Sequence, residues 1–172
     1  MKNTRVYVLC RLALLCAVAI AISALEGVFT PILPPGAKAG LSNVVVMLAA
    51  DLYGLPAALA VALFKAAFAL MTRGAVSAFL SFLGGVLSAV ALWALFRFSR
   101  KLGVFGISLI GAVIHSTAQL FGTYLLYGAA IFAYAPILLL LSLPSGLITA
   151  ALLRAATSIW HTRSQHKKGN KS

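Results

Sequence analysis

The sequence predicts an all-α integral membrane protein: a bundle of six transmembrane helices with both termini in the cytoplasm. Three observations carry this reading. Hydrophobic residues make up 62% of the 172 and mean hydropathy is +1.04, so too little polar surface remains to cover a soluble core. Proline and glycine cut the apolar stretches into separate runs. Finally, 14 Lys and Arg face only two acids, Glu26 and Asp51, and those cations fall almost entirely on one side of the runs.

The helices follow in order, with boundaries good to a few residues. The first is expected over about residues 6–25 and ends before Pro31, Pro34, Pro35 and Gly36. A cleaved signal peptide is the competing reading of this start, given its basic lead and the small residues near Ser23 and Ala24. Arg11 interrupts the apolar stretch and the run behind it is long, which favours a retained helix. Cys10 and Cys16 are offset in face and too far apart along one helix for a disulfide, and read as apolar fillers. The second helix, about 41–53, closes at Gly54 and Pro56, and the third, about 55–72, closes at Gly74. The fourth covers about 75–96, the fifth about 104–127 after Gly103, and the sixth about 130–153 after Gly128. Pro136 and Pro144 lie inside the sixth, where a membrane helix tolerates them by kinking. Residues 1–153 then form one transmembrane domain and 154–172 a basic cytoplasmic tail.

With the amino terminus inside, Lys2, Arg5, Arg11, Arg97, Arg100, Lys101, Arg154, Arg163, Lys167, Lys168 and Lys171 are cytoplasmic, against Lys38 and Arg73 outside and Lys65 within a span. Topology therefore accounts for the charge without a nucleic-acid partner, and the tail can rest on anionic lipid. Enzymatic chemistry is poorly served. No phosphate loop ending in Gly-Lys-Ser/Thr occurs. Three histidines, two of them at His161 and His166, form no ligand cluster. Two acids cannot furnish paired-carboxylate catalysis or an aspartate-rich magnesium site. No cofactor or metal is expected.

Function should then reside in polar groups inside the membrane, where each is costly and faces a bundle interior or cavity. Lys65 lies near mid-membrane, about 13 Å of helix rise beyond Pro56. On the fifth helix Ser108, Gly111, His115, Gln119 and Gly122 recur at spacings of three and four, which aligns them on one face. Asn43 of the second helix reaches a similar level, so Asn43, Lys65, His115 and Gln119 are expected to converge as substrate ligands. A hydrogen bond between helices would satisfy His115 and Gln119 equally well. Ser77, Ser81, Gly84, Gly85 and Ser88 on the fourth helix read mainly as close-packing positions.

The loop from Phe29 to Asn43 combines proline rigidity with Gly36 and Gly40, and reads as a shaped lid carrying Lys38 into the mouth of the bundle, or as a rigid connector. Glu26 is placed either to pair with Lys38 or to touch cargo, and Asp51 stands near the cytoplasmic end of the second helix. Cations at Lys38, Lys65 and Arg73 point to a cargo with negative charge or several acceptors. Ala13, Ala17 and Ala21, at four-residue intervals on the first helix, form a smooth ridge for a partner helix.

The run Pro34-Pro35-Gly36-Ala37-Lys38-Ala39-Gly40-Leu41-Ser42-Asn43, the charge at Lys65, the segment Ser81–Gly85 and the segment Gly111–Leu120 resemble the Gx transporter family. Its members also carry the label heptaprenyl diphosphate synthase component I and are similar to substrate-binding S components of energy-coupling factor (ECF) transporters. The resemblance covers roughly residues 10–153, and its Pro-Pro-Gly-x-Lys-x-Gly-Leu-x-Asn run is the most specific part. It implies a six-helix vitamin-uptake fold in which outer loop and later helices enclose a small molecule. The first helix would dock on a transmembrane coupling subunit driven by two cytoplasmic ATPases, in a bacterial cytoplasmic membrane. Two positions depart from the pattern: Lys65 stands where arginine is expected, and Ser116 where asparagine commonly follows the histidine.

The synthase label supplies the alternative. Prenyl elongation needs magnesium on clustered aspartates, and this chain has one aspartate. What survives of that label is a non-catalytic membrane subunit or scaffold serving isoprenoid or quinone synthesis. A solitary carrier driven by an ion gradient is a third reading, with Glu26, Asp51 and His115 as its few proton-coupling candidates.

Overall fold

The computed structural model describes residues 4–29, 40–98 and 103–169. Those residues are all helical apart from short connections: α1 (Thr4–Phe29), α2 (Asn43–Tyr53), α3 (Leu55–Phe98), α4 (Val104–Tyr127), a 3₁₀ segment (Ala129–Tyr134) and α5 (Ala135–Gly169). Among the described residues four helices are long and apolar enough to cross a membrane: α1, α3, α4 and α5. The protein is thus a helical, multi-pass membrane protein. Its outer faces carry large apolar side chains such as Leu14, Leu25, Val28, Met71 and Leu140, as a surface solvated by lipid tails requires.

Where six separate helices are expected, five α-helices form, and the differences have local causes. The third and fourth expected helices are the two arms of one 44-residue element, broken at Gly74 where the sequence predicts the cut. A straight helix of that length would measure about 66 Å, twice the hydrocarbon thickness. Gly74 interrupts it with φ 82 and ψ 179, a conformation that side chains disfavour. The chain turns back there: a Cβ on Gly85 would lie 3.1 Å from the Cβ of Ala62, two positions nearly equidistant from Gly74. Element α3 is therefore a helical hairpin whose arms touch through glycine and alanine.

Helix α2 has 11 residues, about 16 Å of rise and too short to span hydrocarbon alone. Protein encloses it instead: Asn43 to Met47, Ala49 and Ala50 are all buried. It sits at the centre of the main core with Cys16 and Ala19 of α1, Ala57, Ala58, Val61, Ala89 and Leu92 of α3, Ile107 of α4 and Leu153 of α5. Gly54, at φ 80, closes it and donates its N–H to Ala50 O at 3.1 Å.

Around this axis α3 packs on α1, α2 and α4, and α4 packs on α5. The sixth expected helix starts later, at Ala135. Pro136 falls at its first turn, where the missing N–H costs nothing. Pro144 lies inside α5 and is accommodated with serine hydroxyls on nearby carbonyls: Ser142 Oγ donates to Leu139 O at 2.6 Å and Ser145 Oγ to Ser142 O at 2.9 Å. Helix α5 also continues to Gly169, through most of the segment expected as a tail.

Candidate functional site

Four of the five expected ligand residues are enclosed: Lys65 is 3% exposed and Asn43, His115 and Gln119 are each 4%. Lys38 lies outside the described residues. The structure divides the four between two neighbouring sets.

The first set lies on the seam between α3 and α4. The face predicted on α4 forms as expected, with Ser108, Gly111, His115, Gln119 and Gly122 all buried. Small residues opposite make this possible. A Cβ on Gly84 would stand 2.9 Å from His115 Cε1 and 3.0 Å from Gln119 Cγ, so the bare backbone of α3 is the floor on which both side chains rest. Farther along, Gly111 accepts Leu92 and Gly122 accepts Leu80 and Leu83 at similarly close range. Gly40, just before α2, approaches His115 from another side, its ideal Cβ 3.9 Å from Cδ2. Asn43 meets Ser88, one turn beyond Gly84: Ser88 Oγ lies 3.1 Å from Asn43 Oδ1 and 3.1 Å from Gly85 O. Gln119 Nε2 is buried and has no hydrogen-bond partner among the described residues. An amide donor in that condition loses its water without replacement unless a further acceptor arrives.

The second set lies where α1 ends, α2 begins and α3 turns. Ser42 stands at the N-cap of α2 but does not cap it with its side chain. Its hydroxyl donates instead to Glu26 Oε2 at 2.7 Å and its N–H to Oε1 at 3.3 Å. The carboxylate of α1 thereby holds the entrance of α2. Arg73, beside Gly74, donates Nη2–H to Ser23 Oγ at 2.7 Å. Lys65 belongs here, within electrostatic reach of Glu26, which attracts it, and Arg73, which repels it.

Sequence reasoning set Glu26 against Lys38 or cargo and counted Arg73 among the cations that favour an anionic cargo, and passed over Ser23 and Ser42 as site residues. Their common signal was available in Ser23 and Glu26, which lie three apart on one face of α1. Ser88, read as a packing position, also serves as the partner of Asn43. The alanine ridge is on the outer side of the bundle: Ala13, Ala17 and Ala21 are exposed while Cys16, Ala19, Ser23 and Glu26 face inward. Among the described residues no three or more His, Cys, Asp or Glu come together to hold a metal ion.

A family model described as heptaprenyl diphosphate synthase component I matches residues 15–156. No curated protein and no solved structure matches the chain.

Proposed function

The chain belongs to the heptaprenyl diphosphate synthase component I family, and from that premise we propose that it is the substrate-binding subunit of an ECF-type uptake transporter for a small anionic or vitamin-like molecule. As a component I, it is not itself an enzyme. The observation that carries the reading is the seam of Gln119 and His115 against Gly84: polar side chains enclosed in an apolar bundle, one with an amide donor awaiting an acceptor. Asn43 and Lys65 stand on adjoining elements, and Lys38 would enter from the preceding loop. Nucleotide hydrolysis falls to two cytoplasmic ATPases, coupled through a transmembrane partner that docks on Ala13, Ala17 and Ala21. The exposed position of that ridge supports the assignment.

The proposed setting is the bacterial cytoplasmic membrane with both termini inside. That parity requires α2 to complete a crossing within the protein and the two arms of α3 to cross separately. If α2 fails to cross, the carboxyl terminus emerges outside, so reporter fusions at the two ends must read the same side.

Native mass spectrometry of gently purified protein tests the function. A defined small ligand retained by the wild type and lost in His115→Ala and Gln119→Ala, with coupling subunits bound, is the expected result. An empty chain held to a soluble prenyl synthase would instead support the second reading that the family description favours, a membrane scaffold for that enzyme.

A further inference from the structure

Glu26 and Arg73 both stand within electrostatic reach of Lys65 near the turn of α3; Glu26 and Lys65 are buried, and Arg73 is half-buried with its Nη1 fully enclosed. Arg73 keeps its charge in any surroundings, so the junction holds a guanidinium inside an apolar bundle. Such a charge is strongly disfavoured unless it is paired. Both oxygens of Glu26 accept hydrogen bonds from Ser42. Arg73 directs Nη2 to a neutral acceptor, the Ser23 hydroxyl. Its Nη1 lies over Gly27, 3.6 Å from where a Cβ would stand, and has no hydrogen-bond partner among the described residues. The absent side chain at Gly27 leaves that donor room.

We propose that Arg73 and Lys65 form an oxyanion site at the Gly74 turn, which takes a carboxylate or phosphate group on Arg73 Nη1 with Lys65 as the second positive charge. A guanidinium donates in a fixed planar geometry and an ammonium acts as a point charge, so the pair supplies direction and neutralisation together. The group is either part of the cargo or the phosphate of a phospholipid headgroup. Occupancy by cargo rests on the substrate-binding reading above; the enclosed Nη1 of Arg73, unpartnered among the described residues, does not.

The test follows thermal unfolding of the full chain in phospholipid-free maltoside micelles. One arm adds inorganic phosphate against chloride at matched ionic strength; the other adds dioleoylphosphatidylglycerol against uncharged diolein. Phosphate at about ten times its Kd should raise the midpoint by roughly 3–6 °C. Arg73→Gln should abolish the rise, whereas Ser23→Ala, which removes only the acceptor of Nη2, should keep it. A rise seen with the phospholipid alone, and abolished by R73Q, supports the same site and identifies the headgroup as occupant. Equal responses of wild type and R73Q to both probes, or no response to either, overturn the site. Should R73Q not fold, Lys65→Gln decides: an undiminished phosphate response in K65Q overturns the proposal. Wild-type protein that responds to phosphate but never carries cargo sinks the uptake reading and leaves the oxyanion site. A protein that retains cargo yet shows no Arg73-dependent response does the reverse.

Discussion

The seam between α3 and α4 and the junction at the Gly74 turn both bury polar side chains among apolar helices, but by different means. On the seam the groups are amides, a hydroxyl and an imidazole, and room is made by deletion: Gly84 brings a bare backbone under His115 and Gln119, and Gly111 and Gly122 let α4 settle against α3. At the junction the groups carry charge and are held by specific partners, Glu26 on Ser42 and Arg73 on Ser23. Neutral polar groups tolerate enclosure if packing is close and one or two hydrogen bonds are made. Charges do not, and their arrangement has to be written in pairs across different helices. The seam should therefore be sensitive to added volume and the junction to lost charge.

The sharpest way to break that contrast is Glu26→Ala. It removes the acceptor of both Ser42 bonds and leaves Lys65 and Arg73 facing each other without a carboxylate. A loss of about 3–5 kcal/mol is expected, read as a lowered unfolding midpoint in micelles; a loss under about 1 kcal/mol would show that the junction is not organised by charge. On the seam, Gly84→Val drives a side chain into positions 2.9–3.0 Å from His115 and Gln119. Overpacking of this kind costs about 1–3 kcal/mol, and cargo retention should fall with it because both side chains must move. Wild-type stability and occupancy in G84V would mean that the close approach is incidental.

Ser88→Ala sharpens the comparison at smaller scale. It deletes the neutral bond to Asn43 Oδ1 and should cost about 1 kcal/mol, well short of the charged counterpart, in the same unfolding assay. The smallest stability effect belongs to the outer face of α1. Ala17 is exposed, so Ala17→Leu should leave the midpoint within about 0.5 kcal/mol of wild type while co-purification of a coupling subunit is lost. Unchanged co-purification would remove the alanine ridge from the docking surface.

Much of this architecture was legible because it is local. Hydropathy marked out the long apolar helices, Gly54 and Gly128 marked helix ends, and the three-and-four spacing on α4 placed Ser108, His115 and Gln119 on one buried face. The start of α5 was less legible, since a 3₁₀ turn at Ala129–Tyr134 is as apolar as the helix that follows it. The convergence of Asn43, Lys65, His115 and Gln119 at one depth was read from helix rise alone. Depth does not fix which way a helix is rotated, and it gave no hint that Lys65 stands within electrostatic reach of Glu26 and Arg73.

By itself, the sequence determined that this is a helical membrane protein, which residues its interior must accommodate, and which face of α4 they occupy, because hydropathy and the 3.6-residue period are properties of a single segment. Only the tertiary structure decided that α2 is enclosed, and that Glu26 holds Ser42, Arg73 holds Ser23 and Asn43 meets Ser88. Each of those pairings joins residues from different helices, and what selects it is the relative rotation and spacing of packed elements, a quantity no single segment carries.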